Sequence, residues 1–173
     1  MKATAVSVAV VAMAWLAACS GAQPQQENTQ DRLRRATQVL VGPPDGVATE
    51  KVVGAVLELL DLAAAITPDN EFRKDVRYRI DVAKDLIKKT SLFNEKARQY
   101  VSFAYRQMTN GVKYEPPKDL QQFVTPAELQ AKSQNYLKGL VDHAQTSLAA
   151  GTPAETAKTL LEIVLMIMTP VGG

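Results

Sequence analysis

The chain has 173 residues, 46% hydrophobic and 22% charged, and twenty basic side chains against eighteen acidic ones leave a formal net charge of +2. These proportions suit one globular domain of ordinary size, exclude wholesale disorder, and give no sign of a nucleic-acid partner. One Cys excludes an internal disulfide and one His excludes a multi-histidine metal cage.

The first element is a leader. Met1-Lys2-Ala3-Thr4 is followed by fourteen residues, Ala5 to Ala18, in which only Ser7 is polar, and then by the single Cys19. A basic start and an apolar run of this length read as a secretory signal peptide, being short of the ~20 residues a bilayer-spanning helix needs. Leu16-Ala17-Ala18-Cys19 resembles the lipobox of bacterial lipoproteins. The resemblance implies that the Cys19 thiol takes up diacylglycerol, that a peptidase cuts before it, and that acyl chains anchor the product to a membrane. Such chains hold durably when two or three are present, at about 0.8 kcal/mol per buried CH₂. Ser20 after the Cys resembles lipoproteins sent to the outer membrane, facing the periplasm, in two-membraned bacteria. Residues 1–18 are thus expected to be removed. Residues 19–29, beginning Cys19-Ser20-Gly21-Ala22-Gln23-Pro24, lack large apolar side chains and read as a lipidated Cys and flexible tether. Its ten residues after the Cys span at most about 35 Å.

Residues 30–173 read as one all-α domain, a compact helical bundle or stacked helical hairpins of about five to six helices. A first stretch over 29–41 sets Leu33, Ala36 and Leu40 on one side and stops at Gly42-Pro43-Pro44. The second, 49–66, is apolar nearly all round except for Glu58 and Asp61, which marks a core helix. The third, 69–89, repeats Phe72, Val76, Ile80, Ala83 and Ile87 at helical spacing, and the fourth, 92–110, repeats Phe93, Ala97, Val101, Ala104 and Met108 with Gly111 as its C-cap. An irregular stretch containing Tyr114, Pro116-Pro117 and Phe123 follows. The fifth helix, 126–149, presents Leu129, Tyr136/Leu137, Leu140/Val141, Ala144 and Leu148; the sixth, 153–168, ends in an apolar run broken only by Glu162. Thr125-Pro126-Ala127-Glu128 and Thr152-Pro153-Ala154-Glu155 both read as capping boxes, and Thr67-Pro68-Asp69-Asn70 as a weaker one. The short connections predict antiparallel neighbours.

Chemistry is sparse. His143 is the single histidine, on the flank of the fifth helix, and reads as structural or solvated. Glu58, Asp61 and Glu162 invite a di-metal reading, but the Glu-x-x-His pairs such bundles use are absent, so solvent edges are expected. No P-loop, GxGxxG, CxxCH or EF-hand pattern is present, so no metal or cofactor is expected. No nucleophile stands with a base, and no catalytic residue is assigned. Charge is uneven: residues 67–114 hold eleven Lys/Arg against six Asp/Glu. Arg73, Arg77 and Lys84 share one side of the third helix as a candidate basic patch for anionic headgroups or an acidic partner. Asp75 and Arg79 stand at the spacing of a helical ion pair. The apolar sixth helix either closes the core or offers a partner surface.

The sequence thus predicts a non-enzymatic, lipid-anchored adaptor or assembly factor of the cell envelope, working with an envelope protein partner. Its layout resembles that of secretion pilotins and helical assembly lipoproteins. The alternative is a carrier holding a lipid or other apolar ligand within the bundle.

Overall fold

The computed structural model describes residues 28–41, 49–120 and 125–169. The leader, the lipobox with Cys19, and nearly all of the tether lie outside them. The chain divides into two compact units, Met1–Arg32 and Leu33–Gly173. Only residues 28–32 of the first are described, as the opening of a helix.

Among the described residues there are six helices: α1 (28–41), α2 (Thr49–Ile66), α3 (Arg73–Thr90), α4 (Glu95–Met108), α5 (Pro126–Ala149) and α6 (Pro153–Met168). One 3₁₀ turn, Lys118–Leu120, lies between α4 and α5, and no strand occurs among the described residues. The protein is an all-α helical bundle. Helix α2 packs on α3, α3 on α4, α4 on α6, and α6 back on α2, so these four close a ring around one core. Helix α5 packs on α6 from outside that ring.

The two helices that read as apolar all round hold the centre. Ten side chains of α6 are buried, from Thr156 to Met168, while α2 contributes Val53, Ala55, Val56, Leu59, Leu60, Leu62 and Ala63. The apolar end of α6 therefore closes the core. The amphipathic helices each turn one stripe inward: Val76, Ile80, Ala83 and Ile87 from α3, and Ala97, Val101 and Ala104 from α4, all fully buried. Each fully buried Val, Leu or Ile side chain contributes about 1.5–3 kcal/mol against exposure. Phe72, expected to begin the α3 stripe, lies before the helix and is largely exposed.

The buried hydroxyls are satisfied locally. Buried Thr37, Thr67, Thr156 and Thr159 each donate to the carbonyl four residues back, and Ser147 donates to Ala144 O. That pattern lets a hydroxyl enter a helical core at little cost.

The helix ends depart from expectation in instructive ways. The capping box at Thr125 forms: Glu128 N–H donates to Thr125 Oγ1 at 3.2 Å, and Thr125 N–H donates to Glu128 Oε2 at 3.0 Å. The matching string at Thr152 does not. There the Thr152 hydroxyl donates to Ser147 O at 2.9 Å, and the Glu155 carboxylate is held by His143. At Thr67 the hydroxyl closes α2 through Ala63 O, and Asn70 Oδ1 accepts the Phe72 N–H, so α3 starts four residues later than the sequence predicts. Helix α4 starts at Glu95, capped by Asn94 Oδ1 on Ala97 N–H at 2.7 Å. At its far end Asn110 (φ 56°) is the first left-handed residue, one before the expected Gly111, which follows it at φ 91° and closes the turn through its N–H on Arg106 O. Gly151 (φ 75°) does take that position after α5, with Thr152 N–H returning to Ser147 O in a Schellman motif.

Candidate functional site

The residues singled out by sequence are mostly engaged in holding helices together. Lys84 is paired with Asp61 across the α2–α3 seam. Arg77 Nε donates to Ala64 O, in the last turn of α2, at 2.9 Å. Arg73 pairs with Asp69 at 3.0 Å. Lys84 and Arg77 therefore lie on the α2–α3 seam, while Arg73 pairs locally with the connection before α3, so each member of the candidate trio is tied to an acceptor of its own chain. A cation at the end of α2 meets the negative pole of a helix whose last turn carries no basic residue.

His143 Nε2 lies 2.8 Å from Glu155 Oε1, linking α5 to α6, and Lys158 Nζ reaches the same oxygen at 3.1 Å. The bond from His143, then that from Lys158, holds the Glu155 carboxyl below its ordinary range. This is a surface clasp, with no nucleophile among its partners. Among the described residues no group of His, Cys, Asp and Glu is placed to hold a metal ion, and no helix is long and apolar enough to cross a membrane.

Two recesses stand out instead. The first is a groove of about 420 Å³ on the outer side of α3 and α4, lined by Phe72, Arg79, Phe103, Arg106, Gln107, Asn110 and Gly111. Arg79 does not pair with Asp75; its guanidinium lies over the Phe103 ring, 4.8 Å from the centroid. Phe72 and Phe103 remain 41% and 45% exposed. Arg79 Nε and Gln107 Oε1 are buried with no hydrogen-bond partner among the described residues. A buried polar atom without a partner costs about 1–3 kcal/mol. The groove thus offers two guanidiniums and two open aromatic rings, with no acid in its lining.

The second is a recess of about 290 Å³ lined by Tyr105, Lys113, Tyr114, Glu115, Pro117, Tyr136, Leu140, Glu162 and Met166. Glu162, expected at a solvent edge, is half-buried and accepts a hydrogen bond from Tyr105 Oη at 2.9 Å. The rings of Tyr105 and Tyr114 stand perpendicular, 6.0 Å between centroids. Tyr136 Oη donates to Asp119 Oδ2 at 3.2 Å, joining α5 to the 3₁₀ turn whose Leu120 is fully buried. Burial first, and then the Glu162 carboxylate, pushes the Tyr114 hydroxyl up to about 12. The same two causes, with a hydrogen bond to Glu162, raise Tyr105 further.

Periodicity misses these residues because it scores which positions turn inward. A usable signal existed: Phe103 is a large aromatic off the Ala97–Val101–Ala104 stripe, where an apolar ring has no core to enter. The convergence of Tyr105, Tyr114 and Glu162 leaves no such trace, since it joins α4, the irregular connection and α6. Comparison with known protein families, curated proteins and solved structures finds no match for this chain.

Proposed function

We propose that the protein is a bacterial lipoprotein, anchored through acyl chains on Cys19 to the outer membrane on its periplasmic face. In this reading its helical domain is a non-enzymatic adaptor or assembly factor for an envelope protein. The anchoring half rests on the lipobox string Leu16-Ala17-Ala18-Cys19. The adaptor half rests chiefly on the Arg79–Phe103 groove. Exposed aromatics beside guanidiniums are the composition of interface anchors. The lining favours a segment presenting carboxylates and apolar side chains, in keeping with the excess of basic residues over 67–114.

A photo-crosslinking residue at Phe103, in cells expressing the full chain, tests the adaptor half. The expected result is one dominant adduct with an envelope protein, abolished by Arg79→Glu and absent when the crosslinker replaces exposed Gln145 on α5. An adduct indifferent to Arg79→Glu, or no adduct, refutes it. Cys19→Ser tests the anchor: the protein should leave the membrane fraction, and an unchanged membrane pool refutes lipidation.

A further inference from the structure

We propose that the tyrosine-lined recess between α4, α5 and α6 is a binding site for a small organic ammonium group, separate from the adaptor groove. Three features argue for a cation. First, the walls are aromatic: Tyr105, Tyr114 and Tyr136 all line it, and the perpendicular pair Tyr105–Tyr114 forms two adjoining sides of a box. Ring faces carry negative quadrupole charge, and boxes of this kind attract alkylammonium groups more than neutral ones.

Second, the carboxylate in the box is held by a neutral donor. Tyr105 Oη fixes Glu162 Oε1 at 2.9 Å, which orients the carboxylate without cancelling its charge. Leu140 and Met166 beside it supply apolar surface for methyl or methylene groups, and Glu115 adds a second acid at the rim against one base, Lys113. Burial is the first cause of the raised Tyr105 and Tyr114 hydroxyls, and the Glu162 carboxylate is the next, disfavouring a phenolate as it favours an ammonium.

Third, size sets the ligand class. A volume of about 290 Å³ lies at the small end of ligand clefts. It accommodates a quaternary or primary ammonium with a short carbon stem and excludes a whole acyl chain. Lys113 can meet an anionic group that follows the stem, so the ammonium could belong to a free amine or to a phosphocholine-type headgroup.

The test is calorimetric titration of the full chain with choline and with its neutral isostere, in which carbon replaces the quaternary nitrogen. Choline is expected to bind saturably and about tenfold more tightly than the isostere. Glu162→Gln, which preserves the Tyr105 hydrogen bond, is expected to remove most of that preference, and Tyr114→Leu to weaken choline. Tyr78→Leu, on the exposed side of α3, should bind as the parent does. Equal binding of choline and isostere overturns the proposal in favour of an apolar recess, and absence of saturable binding overturns it outright. The wild-type comparison decides the matter even if a variant misfolds. Phosphocholine distinguishes the sources: tighter binding than choline supports a headgroup, weaker binding supports a free amine. Either result leaves the adaptor groove untouched, because Arg79→Glu alters none of the recess.

Discussion

Arg77 offers the sharpest check on how this bundle is held. Its Nε–H reaches Ala64 O at 2.9 Å, while Thr67 closes the neighbouring carbonyl of Ala63 through both its N–H and its hydroxyl. Arg77→Leu keeps the apolar stem against α2 and removes only the donor and the charge. A hydrogen bond from a charged donor contributes about 1.5–3 kcal/mol, and a cation at a helix C-terminus a further 0.3–1 kcal/mol. The residue is half-buried, so water recovers part of both. A loss of about 1.5 kcal/mol is expected, which at a urea m-value of about 2 kcal/mol per molar lowers the midpoint by about 0.7 M with m unchanged. Arg77→Lys keeps the charge but cannot place the planar Nε–H, so it should fall about midway. Lys84→Met should cost less, because Asp61 across the seam is 44% exposed and pairs of that kind contribute under about 1 kcal/mol. A midpoint for Arg77→Leu within about 0.2 M of the parent refutes the assignment. Arg77 would then belong to the surface rather than the seam.

Three further outcomes follow from the same geometry. Leu161→Ala, at a fully buried position on α6, should cost about 3–5 kcal/mol by chemical denaturation, and a loss under about 1 kcal/mol would place α6 outside the core. Thr125→Ala should fray the start of α5 and cost about 1 kcal/mol; Thr152→Ala should instead loosen the α5–α6 turn through Ser147 O, so amide exchange should rise at different ends of α5. In alkaline titration followed by phenolate absorbance, Tyr114 should ionise near 12, above the usual value near 10. Its raised value means that its contribution to stability is complete below pH 10 and is lost as pH climbs towards 12. Glu162→Gln should bring that late ionisation down, and an unchanged titration would remove the carboxylate from the causes.

Helix boundaries were most legible where the start signal had no competitor. Pro126, with Thr125 and Glu128 around it, gave α5 its observed start because, among the described residues, no other hydrogen bond claims those side chains. The identical pattern at Thr152 failed as a capping box, though the helix starts where expected: a tight turn brings Ser147 O to the hydroxyl, and His143 from the preceding helix takes the carboxylate. A capping motif is local, whereas its rivals come from across a turn. The apolar breadth of α2 and α6 was equally legible, since a helix without a polar side has only the centre to occupy. The candidate sites were not. Arg73, Arg77 and Lys84 share a side of α3 as their spacing requires, but spacing does not tell whether that side meets solvent or a neighbouring helix.

The acids that interrupt the two central helices separate structure from site. Asp61 on α2 meets the ammonium of Lys84, so its charge is matched within the bundle and serves to set α2 against α3. Glu162 on α6 occupies the comparable position against α4, but its donor is the neutral hydroxyl of Tyr105. That neutral donor does not cancel the carboxylate's charge beside the two tyrosine rings, where the carboxylate is the second cause, after burial, of the raised Tyr114 hydroxyl. If fixing α6 to α4 were the whole of its role, Glu162→Gln would do nearly as well, since an amide oxygen accepts from Tyr105 equally. The charge is needed only if something positive is to be met. Stability and choline binding should therefore part company in that one variant, with the fold retained and the preference for the cation lost.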